Sequence, residues 1–205
     1  AYMPMSFEGA YAIPEGIKQI TGGAFTGCTS LTSLTIPNSV TSIGDQAFHS
    51  CSSLTTITIP NSVTSIGEYA FYNCSSLIAV VIPDGVTSIG DRAFGGCYNM
   101  VSVELGEGVT NIGEMAFNGC YKLVEVINRS ELCVEAGATS NGYLGYYAKE
   151  VHKGESKLVA DDSGNLFYTY NGVNYLVGYV GTDTALTLPA NYNGQNYVIN
   201  QYAFY

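Results

Sequence analysis

The chain has no tryptophan, only 2 histidines, and 7 lysines and arginines against 17 aspartates and glutamates. So little basic charge, scattered along a chain of net charge −10, excludes nucleic acid as a partner, because phosphate binding needs clustered Lys and Arg to displace counterions. No apolar run approaches the roughly 18 residues of a membrane span. The two histidines, His49 and His152, belong to distant segments, and neither sits in a His-Glu-x-x-His or Gly-x-Ser-x-Gly context. No Cys-x-x-Cys pair exists to begin a zinc site. With no oriented base beside a nucleophile, the residues point away from an enzyme and from any metal or cofactor. Charged residues make up only 12% of the chain, so its polar surface must be built mainly of Ser, Thr, Asn, Gly and Tyr. The 46% of hydrophobic residues excludes intrinsic disorder.

What the sequence does have is a period of 23 residues. Ala24-Phe25, Ala47-Phe48, Ala70-Phe71, Ala93-Phe94 and Ala116-Phe117 carry it, with Cys28, Cys51, Cys74, Cys97 and Cys120 in the same phase. Other columns agree: Leu31, Leu54, Leu77, Met100, Leu123; Leu34, Ile57, Val80, Val103, Val126; Val40, Val63, Val86, Val109; Ile43, Ile66, Ile89, Ile112. A partial copy precedes these, since Ile13-Pro14, Ile17 and Ile20 match Ile36-Pro37, Val40 and Ile43, and Ala1-Tyr2 holds the Ala-Phe phase. With Ala203-Phe204 at the other end, the chain reads as a stretch cut from a longer array.

Within one copy, Leu54 to Ile59 alternates apolar and hydroxyl residues, the pattern of a half-buried strand ended by Pro60. Asn61-Ser62 makes a turn, Val63 to Gly67 predicts a second short strand, and Glu68 to Cys74 predicts one helical or 3₁₀ turn. One coil cannot bury its apolar side alone, so stacked neighbours must share ladders of Phe, Cys, Leu and Ile. The expected fold class is therefore an α/β solenoid of short parallel strands plus one helical turn per coil. The solenoid is expected over 1–133, a β-rich insertion over 134–184 and a resumed repeat over 185–205.

The string from Ile59-Pro60-Asn61-Ser62 through Ala70-Phe71-Tyr72-Asn73-Cys74 to Leu77 resembles the BspA-like class of leucine-rich repeats found in bacterial surface antigens. The resemblance covers residues 1 to about 127 and resumes near Leu186-Thr187-Leu188-Pro189 in a lengthened copy. It implies a right-handed solenoid, exposed on the bacterial cell surface or secreted, associated with adhesion to host or extracellular-matrix proteins. It implies no catalytic residues and carries no fixed binding motif, so candidate sites rest on geometry alone.

After Val126 the pattern decays, although Leu132 keeps the phase of Val109. Tyr146 to His152 predicts a short helix, Asp161 to Asn165 a turn, and Asn171-Gly172 a tight hairpin between Leu166–Tyr170 and Val173–Val180. Eleven of the 17 tyrosines lie from Tyr143 onward. Tyrosine offers large contact area at low entropy cost, so Tyr143, Tyr146, Tyr147, Tyr168, Tyr170, Tyr175 and Tyr179 are candidate partner-binding residues, with packing of the hairpin as the alternative. The outward column of the first sheet, including Thr35, Thr56, Thr58, Glu104 and Glu125 with Ser33, Ala79, Ser102 and Val81, is the other candidate face.

The five periodic cysteines share the phase of the apolar ladders, which predicts buried free thiols acting as small hydrophobes. Cys133 lies off the ladder, and a buried thiol is expected there too. His49 reads as a loop residue, because Thr26, Tyr72, Gly95 and Asn118 occupy its phase elsewhere. Asp161 to Asn165 lacks the spaced acidic pattern of a calcium loop. The sequons Asn73-Cys74-Ser75 and Asn128-Arg129-Ser130 are expected to be silent. Functionally, a protein-binding surface module competes with a structural spacer that displays other domains, and with a glycan-binding module that exposed tyrosines would serve.

Overall fold

The computed structural model describes residues 8–181 and 186–204. The Ala1-Tyr2 pair and the expected boundary at 184/185 lie outside them. The chain divides into two compact units, Ala1–Lys153 and Gly154–Tyr205.

The first unit is a parallel β-solenoid. One side carries the strands Gly9–Ala12, Leu31–Thr35 and Thr56–Thr58, then Ala79–Ile82, Ser102–Leu105, Glu125–Asn128 and Glu150–His152. The ladder is interrupted between Thr56–Thr58 and Ala79–Ile82, where Ile78 N donates to Thr55 O at 3.3 Å. The other side carries two-residue strands, Gln19–Ile20, Ser42–Ile43, Ser65–Ile66, Ser88–Ile89 and Asn111–Ile112, all parallel. Register follows the repeat, with Ser33 opposite Thr56 and Ile43 opposite Ile66. Alternation decides which residues enter the core: in Ala79–Ile82, Val80 and Ile82 are buried while Ala79 and Val81 face out.

No helix forms among the described residues, which corrects the α/β expectation: the architecture is all-β with turns. The Ala-Phe-x-x-Cys spacing suits a helical face, yet the backbone spends its N–H groups differently. Ala70, Tyr72 and Cys74 donate back three residues, to Gly67, Tyr69 and Phe71. The alternate groups donate forward into the next coil: Tyr69 N to Asp91 O, Phe71 N to Ala93 O and Asn73 N to Gly95 O. Left-handed backbone twice in each turn, at Gln46 and Ser50, Tyr69 and Asn73, Arg92 and Gly96, and Met115 and Gly119, breaks the dihedral run a helix requires. These turn-side bonds point toward the following coil, whereas beside the short strands Thr64 N donates to Thr41 O and Gly67 N to Ile43 O, toward the preceding one.

Packing follows the columns. Phe25, Phe48, Phe71, Phe94 and Phe117 stack with ring centroids 5.0–5.2 Å apart and interplanar angles of 7–17°. Four of the buried thiols, Cys51, Cys74, Cys97 and Cys120, each donate to a phenylalanine carbonyl of the preceding coil, from Cys51 to Phe25 at 3.1 Å through Cys120 to Phe94 at 3.4 Å. Gly90 permits the close approach: a Cβ there would sit 2.6 Å from Glu68 N and from the carbonyl carbon of Gly67.

Residues 134–153 extend the solenoid. Glu150–His152 pairs in parallel with Glu125–Asn128, and Gly142 O accepts Phe117 N as Ala116 O accepts Phe94 N. Glu125 pairs with Glu150 where Ser102 pairs with Glu125, so this coil is two residues longer and the period is lost without loss of the architecture. The helix expected over 146–152 is absent. Left-handed residues at Asn141, Gly142 and Tyr143 open a series of turns, and Glu150–His152 is extended.

The second unit is one four-stranded sheet of Leu158–Ala160, Asn165–Tyr170, Val173–Tyr179 and Tyr197–Ile199. Asn171 and Gly172, at φ 49° and 76°, make the tight turn that lets Tyr170 pair with Val173. Tyr197–Ile199 then joins in parallel, Asn174 opposite Tyr197, with Asn200 N bonded to Leu176 O and Ala203 N to Asn200 O. Gly67 and Ala70 make the same two bonds in the solenoid, so the Ala203 segment rebuilds a repeat against the hairpin strand.

Candidate binding surfaces

The outward column of the first sheet changes character along the array. Thr35, Thr56, Thr58, Ala79 and Val81 are exposed, Val81 by 55%, and form an uncharged row. Further on the column closes. Ser102 is buried, and Glu125, 0% exposed, accepts a hydrogen bond from Ser102 Oγ at 3.2 Å and meets His152 Nε2 at 3.0 Å. A carboxylate with no exposed surface is held by such partners and cannot touch a binding partner, which removes Glu125 from the candidate face. Glu104 stays half-exposed, its Oε1 2.9 Å from Arg129 Nε, close in charge but off the line of a hydrogen bond.

The tyrosines separate. Tyr168 is 0% exposed, a core residue of the second unit, and so is corrected from binder to packing. Tyr170, Tyr175 and Tyr179 are half-buried on the same hairpin. Tyr143, Tyr146 and Tyr147 belong to the first unit and meet edge to face, with centroids 5.6 Å apart for Tyr143–Tyr146 and 4.8 Å for Tyr146–Tyr147. Tyr147 continues to Tyr121 at 5.3 Å, and Tyr121 stacks on Tyr98 at 5.7 Å. The aromatic row thus reaches into the repeats, where the sequence reading passed over Tyr98 and Tyr121. Their signal was present: both stand at the phase of Thr29, Ser52 and Ser75.

Reactive chemistry is weak. All six cysteines are free. Burial, with neighbouring thiols, pushes Cys51 up to about 12, burial takes Cys120 to about 12, and Cys28, Cys74 and Cys97 also rise. None of these is a poised thiolate. Cys133 is exposed rather than buried, its Sγ 3.7 Å from Glu135 Oε1. Burial also lowers the ammonium of Lys122, which donates to Asn99 Oδ1 at 2.6 Å. Among the described residues no cluster of His, Cys, Asp and Glu could hold a metal ion. Asp161 closes a turn: Oδ1 accepts Ser163 N and Asn165 N, and Oδ2 accepts Asn165 Nδ2. Desolvation is the largest single influence and raises the carboxyl, but these hydrogen bonds together outweigh it and hold the carboxyl below its usual value. No helix among the described residues is long and apolar enough to cross a membrane.

A family model for the BspA type leucine-rich repeat region matches residues 6–124 as six copies. The chain belongs to that family. Its solved neighbours agree. The leucine-rich repeat protein of T. pallidum is 30% identical, with a TM-score of 0.57 over 70% of this chain and 72% of that one. A leucine rich cell surface protein from Faecalibacterium prausnitzii A2-165 is 28% identical, with a TM-score of 0.54 over 89% of this chain and 57% of that one. The pneumococcal vaccine antigen PcpA, 23% identical with a TM-score of 0.57 over 64% of this chain and 33% of that one, shares the fold. No curated protein matches the sequence. The chain spans little more than half of the F. prausnitzii protein, and the Phe, Cys and Ile columns of its BspA-type array account for the periodicity of 23 residues.

Proposed function

We propose that this chain is a non-enzymatic module of a bacterial surface protein that binds a protein partner, host or extracellular-matrix derived, in adhesion. The observation that carries this is the exposed, uncharged row Thr35, Thr56, Thr58, Ala79 and Val81, which runs across two successive parallel ladders of the solenoid. Solenoids present extended surfaces of this kind to partners. The family and the F. prausnitzii cell surface protein support the cellular setting. The cluster of Tyr143, Tyr146 and Tyr147, with Tyr146 45% exposed, offers a second contact surface on the same unit.

Binding of the purified chain to immobilised matrix proteins and mucins tests this. Val81→Lys with Thr58→Glu abolishes saturable binding if the strand row is the site. Loss only with Tyr146→Ser moves the site to the tyrosines. A folded chain that binds nothing across the screen is a spacer.

A further inference from the structure

The coil containing residues 92–98 departs from its neighbours in one place. Gly95 stands where other coils carry Thr26, His49, Tyr72 and Asn118, and Gly96 where two of them carry Ser50 and Asn73. Beside this gap, Tyr98 and Tyr121 replace the small Thr29, Ser52 and Ser75. Tyr72 and Asn73 of the preceding coil cover the buried Gly95 and Gly96, and Tyr98 and Tyr121 stand beside them, lining a cavity of about 160 Å³. Ring carbons of Tyr72 lie 3.0 Å from where a Cβ of Gly95 would be. Tyr98 and Tyr121 stack on one another, Asn118 is contributed by the following coil, and Arg92 lines the cavity.

Arg92 supplies the polar chemistry. Its guanidinium donates to Tyr69 Oη at 3.0 Å and approaches Met115 Sδ at 3.3 Å, lying 5.7 Å from the Tyr69 ring centroid. No carboxylate lies within ion-pair distance of it among the described residues. Five N–H donors on a planar fork leave three for a ligand. Drug-sized ligands need cavities of about 300 Å³ or more, so this one takes a single small ring. A nucleotide or other anion would meet the net charge of −10 and the carboxylates of Asp91 and Glu114, which adjoin Arg92 and Met115 in sequence. An apolar side chain would offer no acceptor to the remaining Arg92 donors or to the Asn118 amide. A pyranose offers C–H faces to the tyrosine rings and hydroxyls to Arg92 and Asn118.

We propose that the cavity formed by Tyr72, Arg92, Gly95, Tyr98, Asn118 and Tyr121 binds one neutral pyranose unit of a glycan. This goes beyond protein binding by the strand row and does not rest on it.

Saturation-transfer NMR on the whole chain tests it with methyl β-galactoside, methyl β-N-acetylglucosaminide and N-acetylneuraminic acid as probes. The repeat itself supplies variants that fit: Tyr98→Ser copies Ser75, Gly95→Asn copies Asn118 and Arg92→Gln copies Gln46. Saturation of a neutral pyranoside is expected, with affinity about tenfold weaker or worse in Tyr98→Ser, the loss of one aromatic contact, and abolished in Gly95→Asn. Circular dichroism confirms that each variant is folded, and Arg92→Gln replaces either one that is not. No transfer to either neutral sugar, unchanged transfer in the folded variants, or preference for the acidic sugar overturns the assignment. Failure of Val81→Lys to affect matrix binding leaves this result untouched, so the two sites are judged separately.

Discussion

Cys74 Sγ donates to the main-chain carbonyl of Phe48, 3.2 Å away in the preceding coil. That carbonyl already accepts Cys51 N at 3.2 Å, so the thiol occupies its second lone pair. A cysteine at this phase is small enough for a fully buried column and still answers a polar atom. Alanine fills the space less well and leaves the lone pair bare. Cys74→Ala is expected to destabilise the chain by about 1–2 kcal/mol, read as a lower urea midpoint.

The same burial makes stability sensitive to alkali. Cys51 and Cys120 ionise near 9.0 when unfolded but at about 12 in the folded chain. Between those values the unfolded state has lost protons that the folded state keeps, so stability falls as pH rises. The contribution is complete below pH 9 and is lost progressively toward 12, by about 1.4 kcal/mol per pH unit for each such thiol. Denaturation midpoints at pH 8, 9 and 10 should step downward. Replacing both residues by alanine makes the slope shallower, and the raised Cys28, Cys74 and Cys97 retain the rest of it.

Thiol labelling separates the ladder from Cys133. In the native protein iodoacetamide should modify the exposed Cys133 alone, and after denaturation all six cysteines. Mass spectrometry reads the difference, and a disulfide at any ladder position would contradict the buried free thiols.

Phe71 is stacked on both sides, 5.0 Å from Phe48 and from Phe94, with no exposed surface. Phe71→Ala should cost about 3–5 kcal/mol and split the melting transition, because coils in a linear array are coupled only to their neighbours. An unchanged melting temperature would falsify the ladder.

Gly90→Ala places a methyl group against the backbone of Glu68 and Gly67. Neither neighbour is a flexible side chain, so the coils must separate locally. A loss of about 1–3 kcal/mol is expected, measured by urea unfolding.

The periodic columns made the solenoid legible, because a residue type repeated at one phase fits only if its neighbours carry the same shape. The hairpin was legible through Asn171-Gly172, where left-handed backbone suits both residues. Helix and turn were not separable by pattern: Ala70, Phe71 and Cys74 present one apolar face in either conformation. The difference lies in left-handed backbone at two positions per turn: Asn73 and Gly96 signal it by residue type, whereas Tyr69 and Arg92 do not. The fate of the outward column was equally hidden, since Thr56 and Glu125 hold the same phase yet one is exposed and the other buried. The coil ending at Glu150–His152 escaped because two additional residues shift every later phase. The sugar-sized cavity is legible only by reading the repeat for its exceptions, Gly95 against Tyr72 and Tyr98 against Ser75.

The opposed directions of the inter-coil bonds have an electrostatic consequence. Along the turn side peptide N–H groups point one way, as from Phe71 to Ala93, and beside the short strands they point the other, as from Gly67 to Ile43. Their dipoles therefore oppose one another along the axis, unlike those of an α-helix, which add. Added coils thus do not build the one-directional peptide dipole that lengthening an α-helix does.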